Sequence, residues 1–175
     1  GLPAALVDGA AAPQPGRPEE AAAAFLTRQR DWLGIDPQTL AVKRVSVAPG
    51  HRHVLYSQTY RGLPVEFARV KVHLDGRGSV TAVHSRFEPD LALDVNPGLL
   101  EAQAAAAVLR DAGVPPSSRG SLVVFPDENT GQVRLAWKFT ARARLALWRY
   151  YIDARTGGVL LRYNDLRFVG NCPAC

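Results

Sequence analysis

Apolar and polar residues follow two different periods along this chain, and the period switches three times. In "RPEEAAAAFLTRQRDWLGI", Ala21, Ala24, Phe25, Arg28, Trp32 and Leu33 recur at steps of three and four. Apart from Arg28 this is an apolar stripe, and it predicts a helix. Pro18 suits the first turn, and Glu19 and Glu20 favour the positive end of its dipole. Gly34 and Pro37 stop it. Alternation by twos then takes over. It predicts a strand at "LAVKRVSVA" and three more within "HVLYSQTYRGLPVEFARVKVHLDGRGSVTAVHSRF". In the third of these four strands Val65, Phe67, Val70 and Val72 carry the pattern, and a phase slip near Ala68 predicts a bulge. Gly62-Leu63-Pro64 breaks the chain between strands. Asp75-Gly76-Arg77-Gly78 is a hairpin turn, since Gly tolerates positive φ.

The same order of elements then recurs. "PDLALDVNPGLL" reads as extended and ends in a turn at Asn96-Pro97-Gly98. A second helix is expected at "LLEAQAAAAVLRDAG", closed by Gly113 and Pro115-Pro116. Four strands should follow at "SLVVFP", "VRLAWKFTARA", "LALWRYYIDA" and "GGVLLRYNDL". Helix-then-strands used twice argues an α+β fold, each antiparallel sheet curling around one helix. One large antiparallel sheet with both helices on one face satisfies the same pattern. The expected division is a Pro/Gly-rich linker over 1–17, one domain over 18–96, a second over 97–167, and a tail over 168–175.

Composition adds bounds. An apolar fraction of 47% allows a real core. No apolar run approaches the roughly 20 residues a membrane span needs, so none is expected. The 175 residues contain no Met. The chain is therefore expected to be processed or to be part of something longer, and an upstream signal peptide fits. The net charge of +5 is uneven. Arg134, Lys138, Arg142, Arg144, Arg149, Arg155, Arg162 and Arg167 are opposed in their own stretch only by Asp153 and Asp165. The C-terminal third should thus carry a basic field that speeds encounter with an acidic partner.

Reactive chemistry is hard to find. His51 and His53 share a strand face, as zinc ligands on a sheet can. With no supporting carboxylate or Cys, they read instead, like His73 and His84, as solvent-facing spacers. H-E-x-x-H, G-x-S-x-G and phosphate-loop glycine spacings are all absent from the sequence. No cofactor is expected. "CPAC" at Cys172 and Cys175 offers three roles: a redox pair, half a zinc site, or a small local disulfide in an exported protein. The last is preferred, because no helix follows to lower a thiol pKa and no second half-site exists. Basic residues interleave with aromatics in "WKFTARARLALWRYY", as in some nucleic-acid binders. A sheet explains this better: Trp137, Phe139, Leu145, Leu147, Tyr150 and Ile152 on an inner face, Arg on a wet outer face left free to meet a partner. No nucleic-acid partner is expected.

Two stretches resemble known domains. Gln58, Thr59, Tyr60, Gly62, Pro64 and Val65, followed by His73, Asp75, Gly78 and Val80, resemble the FTP domain of fungalysin and thermolysin propeptides. Leu135, Ala136, Trp137, Tyr151, Asp153, Ala154, Thr156, Gly157, Val159 and Leu160 resemble a PepSY domain. Their order is that of the pro-region of thermolysin- and fungalysin-like zinc metallopeptidases. The segment after the P-V departs from the family, with Glu66-Phe67-Ala68-Arg69 where a small Gly-containing step is common.

The resemblance implies two cystatin-like units, each a helix packed on a curled antiparallel sheet. It implies a non-catalytic chain, secreted or periplasmic, that assists folding of a metallopeptidase catalytic domain and blocks its cleft, in cis or in trans. Arg162, Tyr163, Asn164, Arg167 and Phe168 are the expected partner-binding residues, with the tail "RFVGNCPAC" leading toward the partner's active site. Cys172 and Cys175 form the candidate disulfide. The alternative is a non-catalytic FTP/PepSY binding module of an exported bacterial protein without a peptidase domain.

Overall fold

The structure is a computed structural model that describes residues 5–6 and 16–166. The fold is α+β, with few helices and mostly antiparallel strands. Contacts divide the chain into two compact units, residues 1–92 and 93–175.

The first unit begins with β1 (Ala5–Leu6), a two-residue strand within the stretch expected as linker. Helix α1 runs Pro18–Arg28, with Pro18, Glu19 and Glu20 in its first turn. It does not continue to Leu33 as one piece. Gln29, at φ −102°, interrupts it, and a short α2 (Arg30–Leu33) ends at Gly34 in the left-handed region. The interruption shifts the helical phase. Ala21, Ala22, Phe25, Leu26 and Leu33 are buried, but Trp32, expected in the stripe, is 63% exposed.

Four strands follow: β2 (Leu40–Ala48), β3 (His51–Tyr60), β4 (Leu63–Asp75) and β5 (Val80–Arg86). They pair antiparallel in the order β2-β3-β4-β5-β1. The β3–β4 turn is Arg61-Gly62, both at positive φ (48° and 82°), the two-residue turn whose twist suits a hairpin. Leu63 and Pro64, expected in the break, already belong to β4. The expected bulge is present and large. Pro64 faces Thr59 and Arg69 faces Ser57, so Val65 to Ala68 stand opposite Gln58 alone. Phe67 sits there at φ 63°, which is costly for a bulky side chain. Phe25 and Leu26 of α1 pack with Val54, Val70, Val72, Val80 and Val83 on one sheet face, a single buried cluster.

In the second unit α3 (Glu101–Ala112) ends at Gly113, φ 70°. The Leu100 amide donates to Gln103 Oε1 at 2.8 Å, which closes its N-terminus. Strands β6 (Ser121–Asp127), β7 (Gln132–Ala143), β8 (Ala146–Asp153) and β9 (Val159–Asn164) form an antiparallel meander in that order. Ala104, Ala107 and Val108 of α3 pack on Phe139, Ala141, Tyr150 and Ile152. Trp137 joins this face, as expected. Leu145 and Leu147 do not. Leu145 is in the β7–β8 turn, 74% exposed, and Leu147 pairs with Arg142 on the other face. That other face is not uniformly wet either: Val123, Phe125, Ala136 and Tyr151 are buried on it. The expectation of a free, polar outer face is therefore corrected.

Candidate partner-binding surfaces

The residues that carry the FTP resemblance build backbone corners. Gln58 is buried, and its amide grips the strand exit twice: Nε2 donates to Glu88 O at 2.8 Å, and Glu88 N donates to Oε1 at 2.9 Å. Asp75 Oδ1 accepts from the amides of Arg77 (2.9 Å) and Ser79 (2.8 Å), holding the β4–β5 turn. The second unit repeats the device. Asp153 Oδ1 accepts from the amides of Arg155 and Thr156, and Arg134 donates to its Oδ2 at 3.0 Å. Burial pushes the Asp153 carboxyl up, but the Thr156 and Arg155 amides and Arg134 hold it below the usual range. Trp137 Nε1 donates to Leu99 O at 3.0 Å. A carboxylate saturated with donors is a poor general base, so these acids are corner posts rather than reactive groups.

The expected partner-binding strand is β9. Arg162 and Asn164 are exposed and Tyr163 is half-buried. Arg162 stands on the helix-covered face opposite Tyr150 and donates to Asp111 of α3. Its guanidinium lies over the Trp148 ring at 5.7 Å. Tyr150 donates to the same Asp111 oxygen at 2.7 Å. The Tyr150 hydrogen bond, aided by Arg162, holds the Asp111 carboxyl below its ordinary range. Tyr163 stacks on Tyr151 with centroids 6.5 Å apart. Asn164 Oδ1 accepts from the amides of Leu147 and Leu166. All three side chains therefore have structural contacts, and Arg162 still keeps half its surface in water. Arg167, Phe168, Cys172 and Cys175 lie outside the described residues.

Among the described residues, four of the eight basic residues of the C-terminal third have acidic partners. Besides Arg134 with Asp153, Arg149 pairs with Asp165, Arg155 with Asp94 and Arg162 with Asp111. Asp94 and Asp111 lie upstream of the basic stretch, so counting charges within a sequence window missed them.

Among the described residues, a cluster of cations without ion-pair partners sits on the first unit, on the sheet face away from α1. Here β3 and β4 pair so that His53 directly faces His73, and Lys71 faces His84 on β5. The His53 and His73 ring centroids are 4.5 Å apart, and those of His73 and His84 are 5.0 Å apart. His53 Nδ1 and His73 Nε2 are buried without a hydrogen-bond partner. Burial, with Lys71, His53 and His84 nearby, lowers the His73 pKa to about 4. Burial, then Lys71 and His51, lowers that of His53. The His side chains are thus not all solvent-facing spacers, since two are half-buried and touching. Among the described residues no group of three or more His, Cys, Asp or Glu is placed to hold an ion. A hollow of about 470 Å³ opens beside them, lined in part by Arg44, Ser46, His53, Leu55, Arg69 and Lys71. Among the described residues its lining holds no carboxylate. Arg44, Arg69 and Lys71 come from two non-neighbouring strands, so no local motif announced them.

Among the described residues no helix is long and apolar enough to cross a membrane. Residues 38–87 match the family described as Fungalysin/Thermolysin Propeptide Motif. The chain is 28% identical over 131 residues to Bacillolysin of Brevibacillus brevis, covering 67% of this chain and 25% of that protein. It is 25% identical over 165 residues to Bacillolysin of Bacillus subtilis (strain 168), covering 85% of this chain and 32% of that protein. It thus spans about a quarter to a third of the length of the curated relatives it matches. Among solved structures, the Bacillus megaterium YpeB C-terminal domain shares the fold at TM-score 0.51 and 16% identity, over 94% of this chain and 72% of that one. The chain is therefore similar to part of two bacillolysins, and its FTP-matching segment is the part that supplies Gln58, Asp75 and the histidine face.

Proposed function

We propose that this chain is a propeptide-like region of a secreted thermolysin-like zinc metallopeptidase, acting as inhibitor of the catalytic domain and assistant in its folding. The observation that carries the reading is the FTP match over residues 38–87, embedded in bacillolysin similarity that extends over most of the chain. The proposal includes the finer features: two cystatin-like units, the second of PepSY type, an exported location, and contact through Arg162, Tyr163, Asn164 and the residues after them. The physics supports it. Side chains that in an enzyme would do chemistry here hold turns, and rigid corners keep a surface preorganised, which lowers the entropic cost of binding. Nanomolar inhibition requires about 12 kcal/mol, within reach of a standard interface of about 1,600 Å².

The test is direct. The purified chain is titrated against a mature bacillolysin-type peptidase and against a thermally unfolded sample of its catalytic domain. Inhibition below micromolar concentration and a raised yield of refolded activity are expected. No inhibition at about 10 µM, a level that corresponds to roughly 7 kcal/mol of binding, rejects the inhibitory role. The alternative, a binding module without a peptidase, is distinguished by the reading frame beyond Cys175: an H-E-x-x-H motif there belongs to the first reading.

A further inference from the structure

We infer that β2 and the basic hollow beside it form a docking track for an extended acidic polypeptide segment, which adds to the sheet as a further strand. The inference does not depend on the proposed inhibitory role. Three observations meet at β2. It pairs with β3 alone, so along nine residues one side of its backbone carries no strand partner among the described residues. Long open edges invite another chain, and they are usually shortened, bulged or charged to prevent this. β2 has one irregularity, between Val42 and Arg44, and is otherwise regular to Ala48.

Its two faces differ. Val42 and Val45 stand opposite buried Tyr56 and Val54, and Val47 shares their face. The three are 50%, 36% and 69% exposed. Arg44 and Ser46 point the other way, into the hollow with Arg69 and Lys71 of β4. Arg44, Arg69 and Lys71 make no ion pair among the described residues. A strand laid beside β2 would place alternate side chains against the valines and, on the opposite face, beside Arg44, with Lys71 and Arg69 further in across β3. The complementary sequence alternates apolar residues with Glu or Asp.

Two other occupants fit less well. A second copy of β2 would set Arg44 and Lys43 against their own duplicates, and like charges across a strand pair repel. A nucleic acid would find phosphate partners, but among the described residues the lining of the hollow contains no Tyr, Trp or Phe on which bases could stack.

The experiment uses the full chain and fluorescein-labelled synthetic peptides alternating Val and Glu, in anisotropy titrations. The Val/Glu peptide should bind at least about tenfold more tightly than a Val/Lys peptide, and binding should weaken between about 50 and 500 mM salt. N-methylation of every second residue of the Val/Glu peptide should cost about tenfold, because backbone pairing supplies affinity in this mode. The Arg44→Glu/Lys71→Glu double variant should lose a similar factor while its thermal midpoint stays unchanged. Arg44→Ala alone, a milder change, should lose less. Equal binding of the Val/Lys peptide, no effect of N-methylation, or an oligo-dT bound as tightly as the Val/Glu peptide would each overturn the inference. So would a concentration-dependent dimer, seen by sedimentation, that the Val/Glu peptide fails to dissociate.

Discussion

Gln58 shows how one side chain sets a local structure. The bulge at Val65 to Ala68 leaves Gln58 without a one-to-one partner on β4, and its side-chain amide bonds to the Glu88 backbone. Replacing it by Leu removes both bonds and leaves the Glu88 N–H and C=O without partners. Gln58→Leu should cost about 2–3 kcal/mol, read from urea unfolding. A loss below about 0.5 kcal/mol would show that water replaces the amide freely. His73 makes a second residue-scale case. Its imidazole faces His53, His84 and Lys71, and its pKa falls from 6.5 to about 4 on folding. The neutral form is the one the fold favours. The contribution is therefore fully present above pH 6.5 and is lost as pH falls toward 4. Partial exposure trims it to on the order of 1–2 kcal/mol. A His73→Gln variant should show a flatter stability profile between those pH values. An unchanged slope would place the sensitivity elsewhere.

Elements here meet closely where the sequence is small. Gly120 precedes β6 and receives the Phe139 ring: an added methyl would lie 2.7 Å from Phe139 Cε1 and 2.9 Å from Glu101 Cγ. The Gly120 amide also donates to Glu101 Oε1 at 2.7 Å, tying the start of β6 to α3. Gly120→Ala should destabilise by about 1–3 kcal/mol through overpacking, measured by thermal unfolding. A neutral result would mean that the Phe139 ring has room to move. The break at Gln29 is the other lesson at this scale. A continuous helical period from Pro18 to Leu33 predicted one buried stripe. One residue outside helical geometry rephased the last turn and left Trp32 in water.

At the scale of the whole molecule, the buried clusters and the proposed partner-binding tail fall in different parts of the chain. Both buried clusters lie between Ala21 and Ile152. A chain ending after Leu166 should keep its unfolding free energy within about 0.5 kcal/mol, as for changes away from a core. If the proposed role holds, the same truncation should weaken inhibition of a bacillolysin-type peptidase by at least about tenfold, roughly 1.4 kcal/mol. Loss of stability instead of inhibition would show that the tail belongs to the scaffold. The charge map divides similarly. Arg134, Arg149, Arg155 and Arg162 of the second unit pair with Asp153, Asp165, Asp94 and Asp111, whereas Arg44, Arg69 and Lys71, which gather around one hollow of the first unit, have no ion-pair partner among the described residues.

Local period and turn chemistry were enough to locate most elements. The bounds of β2, the hairpin at Asp75, the bulge near Ala68 and the end of α3 at Gly113 were readable because each depends on residues within a few positions. Register was not. Counting back from the Arg61-Gly62 turn, where Tyr60 faces Leu63, would set His53 opposite Val70. The bulge displaces the pairing by three residues, so His53 meets His73 and the cationic hollow forms beside them. Ion pairing was hidden for the same reason: Asp111 and Arg162 are 51 positions apart and meet only because α3 lies on the sheet. Period and turn propensity are short-range and legible in one dimension. The size of a bulge and the partner of a charge depend on how distant segments settle against each other, and only the folded chain decides them.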